Sequence, residues 1–324
     1  MEQRPDRNTE CLDFEKPVVA LDEALANLQH YAVISGEELN EPLALLTDRI
    51  NVLKEHLRTH MPPWERVLMA RHPSRPRPAD YVKMLFSDYM ELHGDRRFGD
   101  DRAIVGGFAM FDKQPVMLIY TRKGRDPRDY MDTHFGCAQP EGYRKALRLM
   151  RLADKADCPI ITMIDTPGAY PGIGSEERHV GEAIAMNLRE MFRLRVPVVA
   201  VITGEGGSGG ALGLAVGNRV LMFSNSYYSA ITPEGCAAIL WRKPEKAPDA
   251  AAALHLTAED LLKYNIIDEI IPEPPGGAHR DPAAAGQFLK AALQKQLKEL
   301  RKKSHSRLVD ERYRRFRKLG VFAD

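Results

Sequence analysis

The chain has 324 residues, 44% of them hydrophobic and 28% charged, with 46 Lys+Arg against 45 Asp+Glu and a formal net charge of +1. This balance excludes a wholly disordered, collagen-like or low-complexity protein, and it argues against a uniformly basic nucleic-acid binder. No apolar run approaches the length of a membrane span.

The first fifteen residues mix charges early and hold no apolar stretch, so no secretory signal is expected and the predicted location is cytoplasmic. From there to about Leu92 the chain reads as helical. Leu39, Leu43, Leu46, Ile50, Leu53 and Leu57 alternate intervals of four and three, which places them on one narrow helical stripe. Leu21, Leu25 and Leu28 repeat the spacing upstream. Two antiparallel helices joined near Ser35-Gly36 would satisfy the pattern, and so would one amphipathic helix laid on a core. Pro62-Pro63 ends this unit, and the Pro-rich stretch from His72 to Pro78 reads as a loop.

The character changes after Gly94. Residues 103–108 and 115–120 predict two short strands around a turn at Asp112-Lys113. A helix is predicted over Gly142 to Ala156, with Ala146, Leu149, Met150 and Ala153 on one face. The run Pro159 to Ile164 is continuously apolar and β-branched, as in a strand buried on both faces. A Gly/Pro loop, a helix near Gly181 to Leu194, a strand Val198 to Thr203, a Gly-rich turn with a short helix, and a strand Arg219 to Phe223 follow. This alternation predicts an α/β fold with parallel strands.

Cys11, Cys137, Cys158 and Cys236 form no C-x-x-C pair, so reduced, packed thiols are expected rather than a zinc ribbon or a disulfide framework. The segment Gly286 to Gly320 holds twelve Lys/Arg against three Asp/Glu, together with an apolar stripe of Phe288, Leu289, Ala292, Leu293, Leu297 and Leu300. A solvated face, a nucleic-acid arm and an interaction element compete for this tail. The stripe favours interaction, and Arg301-Lys302-Lys303 would suit phosphates. The expected division is a helical region over 1–92, a core over 93–282 and a basic helical tail over 283–324.

Two loops follow the two apolar strands, Asp165 to Gly174 and Gly204 to Gly210. In a parallel sheet the strand C-termini line the ligand crevice. Glycine runs there let the backbone approach a ligand, and the free N–H groups opening a helix favour an anion or oxyanion. Neither loop has the lysine of a phosphate loop. Gly204-x-Gly206-x-x-Gly209 comes late for a dinucleotide fingerprint, and the glycines could instead serve close helix–strand packing. Gly206-Gly207-Ser208-Gly209-Gly210 fits the letters of a nucleophile elbow, but only His255 and His279 could supply its histidine. His134 and His179 are scattered, and no metal-ligand spacing occurs. The site points to backbone donors.

The chain resembles the alpha subunits of the carboxyltransferase of acetyl-coenzyme A carboxylase, in the multisubunit bacterial and plastid form. The likeness runs from Leu12-Asp13-Phe14-Glu15-Lys16-Pro17 through residues 103–107, 123–125 and 140–150. It is strongest over 165–172 and 204–211, and continues through 233–237, 273–280 and 312–320. Arg122, Cys137 and Gln139 depart from the family pattern. The resemblance implies a crotonase-like spiral of ββα units with N-terminal helices and a basic C-terminal helix. It implies transfer of a carboxyl group from carboxybiotin, presented on a separate carrier protein, to acetyl-CoA, giving malonyl-CoA for fatty acid synthesis. It also implies that the biotin anion removes the acetyl proton, so no side-chain base is needed. Gly206 and Gly207 would then be the backbone donors toward biotin, Gly168 and Ala169 would shape the same pocket, and Glu205 and Ser208 would orient the loop. A beta subunit bearing the zinc ribbon, joined with this chain in an α2β2 assembly, would supply the donors facing CoA, and an ATP-using biotin carboxylase would be another chain. The alternatives are action on another acyl-CoA such as propionyl-CoA, or a non-catalytic or nucleic-acid-binding subunit.

Overall fold

The computed structural model describes residues 11–36 and 39–320. Helices α1 (Lys16–Ser35) and α2 (Asn40–Thr59) form a hairpin, with Lys54 late in α2 paired to Asp22 early in α1 at 2.7 Å. Two helices, not one, account for the leucine stripes. Ile50 is buried and Leu25, Leu43 and Leu46 are half-buried, while Leu21, Leu28 and Leu53 stay exposed. The Leu57 side chain lies outside the described residues.

Helix α3 (Pro63–Ala70) leads into the Pro-rich loop, which is no solvent linker: His72, Arg75 and Pro76 are buried in it. Arg75 donates to the Thr203 carbonyl at 2.9 Å and forks onto Glu273 at 2.7 and 3.0 Å. After α4 (Pro78–Leu85) the expected helical reading to Leu92 fails, because residues Phe86–Glu91 form strand β1. Antiparallel pairing with β2 (Ile104–Phe111) decides their conformation, overriding local preference. A turn with Asp112 and Lys113 both at positive φ returns the chain as β3 (Gln114–Thr121), as predicted.

Then come α5 (Pro127–Asp132), α6 (Pro140–Lys155), β4 (Ile160–Thr166), α7 (Ile173–Glu177), α8 (Val180–Met191) and β5 (Val198–Gly207). Strand β5 runs four residues beyond its predicted end, so Gly204–Gly207 are strand and not turn. Helix α9 (Ser208–Ala215), β6 (Arg219–Phe223), β7 (Tyr227–Ser229), α10 (Pro233–Trp241), α11 (Ala247–Leu254), α12 (Ala258–Lys263) and β8 (Glu269–Ile271) follow, and α13 (Pro282–Leu300) and α14 (His305–Arg317) close the chain.

The sheet order is β1-β2-β3-β4-β5-β6-β8, with β7 added to the end of β5. The first three strands are antiparallel and the rest run parallel from β3 onward. Alternation divides the core in two. Ile160, Ile164, Val198, Ala200 and Ile202 meet α6, α8 and α9 on one face. Ile161, Met163, Val199, Val201 and Leu221 meet α13 on the other. Leu289, Leu293, Leu297 and Leu300, the tail's apolar stripe, are buried there, each worth roughly 1.5–3 kcal/mol of transfer free energy. In α14, Arg312 is fully buried and donates to the carbonyls of Met191, Leu194 and Val196 at 2.7–2.9 Å, closing the C-terminal end of α8. The tail therefore docks on its own chain. Lys303, expected to suit phosphates, pairs with Glu299 and Glu311.

Candidate active site

Strands β3, β4 and β5 end side by side, and each apolar run is followed or closed by a charge: Lys123, Asp165 and Glu205. Between the pairs Ile164–Ile202 and Thr166–Gly206 the ladder slips, leaving β5 with the longer path. The slip turns Glu205 inward, where its N–H donates to Asp165 Oδ1 at 2.9 Å. Lys123 Nζ bridges Asp165 Oδ1 at 2.6 Å and Glu205 Oε1 at 2.7 Å. Arg71 Nε and the Tyr227 hydroxyl both donate to Glu205 Oε2 at 2.7 Å, and Arg71 also pairs with Glu234.

Burial opposes charge on Glu205, but Lys123 and Arg71 outweigh it and hold its carboxyl down at about 2. Burial likewise opposes charge on Lys123, and Asp165 and Glu205 raise it nonetheless. Desolvation and the neighbouring Glu205 carboxylate push the Tyr227 phenol well up, so it serves as a neutral donor. The Glu205 side chain is thus anchored by Lys123, Arg71 and Tyr227 directly before the glycines.

The glycines follow directly. Gly206 pairs with Thr166 on one side and Tyr228 on the other, and Gly207 pairs with Ser229. On the β4 side the ladder ends at Thr166, since Pro167 has no N–H to offer. Gly206 and Gly207 are buried, and α9 starts at once without a side-chain cap on its first N–H groups. A Cβ on Gly207 would lie 2.0 Å from the Pro167 carbonyl oxygen, and one on Gly210 would lie 2.4 Å from the Gly168 carbonyl carbon. The close-packing role considered for these glycines is thus real at both positions.

Ala169 bridges to Ala138, Tyr170 N–H donates to the Ala138 carbonyl at 3.0 Å, and Gly168 N–H donates to Thr166 Oγ1 at 3.1 Å. Gly168, Ala169, Gly206 and Gly207 are therefore brought together. Ser208 is exposed at φ 50°, and neither candidate histidine is among its hydrogen-bond partners: His255 faces Asp260, and His279 is engaged elsewhere. Sequence reasoning assigned no role to Lys123, Asp165, Arg71 or Tyr227. The available signal was a charge at the end of three successive apolar strands.

A second cluster joins residues far apart in sequence. Glu15 and His72 are buried and His279 is half-buried at the foot of the α1–α2 hairpin, with Glu15 Oε1 at 2.8 Å from His279 Nε2 and Oε2 at 3.5 Å from His72 Nε2. The imidazoles stack at 4.0 Å. Two imidazoles and a carboxylate are a familiar metal-ligand set. Here, however, His72 Nδ1 accepts the Ser74 N–H at 3.1 Å, which puts the proton of neutral His72 on Nε2, facing Glu15. That nitrogen is a hydrogen-bond donor, so the cluster reads as a clamp on Glu15.

The family described as acetyl co-enzyme A carboxylase carboxyltransferase-like matches residues 11–320. The acetyl-coenzyme A carboxylase carboxyl transferase subunit alpha of Geobacter metallireducens is 52% identical over 315 residues, 97% of this chain and 98% of that one. Its counterpart in Thermus thermophilus is 50% identical over 313 residues, 97% of this chain and 99% of that one. Among solved structures, a Pseudomonas malonate decarboxylase hetero-tetramer in complex with coenzyme A superposes with a TM-score of 0.55 at 18% identity, covering 67% of this chain and 86% of that one. Transcarboxylase 12S superposes with a TM-score of 0.52 at 20% identity, covering 67% of this chain and 42% of that one. These structures establish the crotonase-like α/β fold. With half of all residues shared over nearly the full length, the chain belongs to the alpha subunits of the carboxyltransferase of acetyl-coenzyme A carboxylase.

Proposed function

We propose that this chain, together with a beta subunit, moves the carboxyl group of carboxybiotin, carried on a separate protein, to acetyl-CoA. The observation that carries the reading is the junction of β5 and α9: buried Gly206 and Gly207 pass straight into an uncapped helix N-terminus, beside the end of the β4 ladder. Loss of the carboxyl group leaves negative charge on the biotin ureido oxygen, and backbone N–H groups of Gly206 and Gly207 are the donors assigned to it. Fixed donors of this kind are worth about 2.7–4 kcal/mol each. The Lys123–Asp165–Glu205 network holds the strand ends rigid, so the donors need no reorganisation. Gly168 and Ala169 form the opposing wall. Acetyl-CoA develops enolate charge at a second place, and that half of the site is assigned to the beta subunit, as is zinc. ATP is assigned to a separate biotin carboxylase and the place of action to the cytoplasm.

Gly207→Val is a poor test, because the valine would strike Pro167 and disturb packing together with any donor. Replacing Gly207 by glycolic acid through nonsense suppression removes its N–H and adds no Cβ. With purified beta subunit, carboxyl transfer should fall about 100- to 1,000-fold while the melting temperature holds. Near-normal turnover would remove Gly207 from the donor set. The chain without a beta subunit should show no malonyl-CoA decarboxylation in the presence of biotin, and robust turnover by the chain alone would overturn the split site.

A further inference from the structure

Away from the strand ends, a cleft of about 430 Å³ lies between α6, the start of α8 and the loop 94–99. Arg144, Leu147, Arg148 and Arg151 recur along α6 at intervals of three and four, so they share one face, and His179, Glu182, Ala183 and Met186 do the same on α8. Leu147, Ala183 and Met186 give the cleft an apolar floor, and its rim is formed by guanidinium groups.

The third wall is preorganised. Asp95 is buried, and its Oδ1 accepts the N–H groups of Arg97, Phe98 and Gly99 at 2.8–3.0 Å, while Oδ2 holds Arg144 at 2.8 Å. This winding fixes Arg96 at φ 63° and presents Arg96 and Arg97 to the cleft. Arg148 donates only to carbonyls, of Gly94 at 3.0 Å and His93 at 3.1 Å. Among the described residues no carboxylate lies within ion-pair distance of Arg96, Arg97 or Arg148. Burial and the adjacent Arg96 charge lower Arg148, and the Asp100 and Asp95 carboxylates, neither at ion-pair distance, offset them only in part. Arg144 and Arg178 are matched by Asp95 and Glu141, and Arg151 by Glu190. Glu182 is the one acidic group left on the rim.

We infer that this cleft is a binding site for a small phosphoanhydride ligand, with its phosphates on Arg96, Arg97 and Arg148 and its remaining bulk over Leu147 and Met186. Guanidinium forks match phosphate oxygens in pairs, and three lining one cleft without an ion-paired carboxylate favour a dianion or more. The volume lies within the range of small-molecule sites, about 300–1,000 Å³. A concave cleft with an apolar floor fits a compact ligand better than the extended backbone of a nucleic acid.

The test is calorimetric titration of the assembled carboxyltransferase with inorganic pyrophosphate at low salt. Binding should weaken at least tenfold in Arg97→Gln, whose side chain is exposed, and in Arg148→Gln. It should be unchanged in Arg189→Gln, a surface arginine outside the cleft. ADP binding more tightly than pyrophosphate would identify a nucleotide, and equal binding would show that the phosphates alone are read; both outcomes support the site. No heat with the wild-type assembly, equal loss in Arg189→Gln, or binding of a 12-nucleotide single-stranded RNA that pyrophosphate does not displace would overturn it.

Discussion

Two buried carboxylates, Glu205 at the strand ends and Glu15 at the foot of the helical hairpin, are both held ionised, by different means. Glu205 faces two permanent cations, Lys123 and Arg71, and a phenol too weakly acidic to lose its proton. Glu15 faces two stacked imidazoles, His279 at 2.8 Å and His72 at 3.5 Å, with the Arg280 guanidinium also at 3.5 Å. The first arrangement keeps its charges throughout the neutral range. The second rests in part on His279, whose imidazole is held below its ordinary 6.5 by burial. The strand ends, which carry the proposed donors, are thus locked, while attachment of the hairpin is conditional on pH.

The largest expected effect comes from extending the locked region to its true limit. Truncation after Asp281 removes Leu289, Leu293, Leu297 and Leu300 from one face of the sheet and Arg312 from the end of α8. As an interaction tail, this segment would on truncation weaken assembly or raise the apparent KM for acyl-CoA. The packing instead predicts loss of the folded chain, seen as insoluble protein or a missing cooperative melt. A soluble, cooperatively melting 281-residue product would show that the sheet does not need α13.

Next is Glu205 itself. Its folded value of about 2 lies below the ordinary 4.5, so the unfolded chain binds the proton more readily. The linked stability is fully present above pH 4.5 and is lost as pH falls toward 2, about 3 kcal/mol in all. Urea unfolding should show wild-type stability falling steeply below pH 4.5. Glu205→Gln should begin lower by a similar amount at pH 7 and show a shallower acid slope. Parallel slopes for the two proteins would mean that Glu205 does not carry this dependence.

The same contrast explains what the sequence reveals unaided. Runs such as Pro159 to Ile164 and Val198 to Thr203 are legible because a strand buried on both faces leaves no polar position. Gly204–Gly207 read as a turn because glycine has little β preference; pairing with Thr166 and β7 makes them strand, and no local signal encodes that. Gly168 and Gly207 were visible as candidates, since glycine runs at strand ends are a local pattern. Arg71, Lys123 and Tyr227 were not, because they reach Glu205 from distant parts of the chain and only the topology brings them there. The Glu15 clamp was hidden for the same reason, as was β1, whose partner is needed to make it a strand.

The hairpin side of the comparison is tested at milder pH. Burial is the main cause lowering His279 below its ordinary 6.5, and Glu15 offsets it only in part. The folded state therefore prefers the neutral imidazole. That contribution is present above pH 6.5 and is lost as pH falls through the folded value. Between pH 7.5 and 5.5, limited proteolysis within α1 and α2 should accelerate several-fold while the global melting temperature changes by only a few degrees, and Glu15→Gln should release the hairpin already at pH 7.5. Cleavage rates that stay flat with pH and are unaffected by Glu15→Gln would mean that the clamp does not hold the hairpin.

The smallest effect should come from the Asp22–Lys54 pair, although its 2.7 Å contact is as short as those around Glu205. Distance alone does not set the worth of an ion pair. The Asp22 side chain is 44% exposed, so water screens the attraction, and ordering two flexible side chains offsets much of the rest. The coupling is expected to be at most about 0.5 kcal/mol. A double-mutant cycle of Asp22→Ala and Lys54→Ala, read by urea unfolding at pH 7, measures it directly. A coupling of 2 kcal/mol or more would place the hairpin among the locked parts of the molecule and remove the distinction drawn between the two carboxylates.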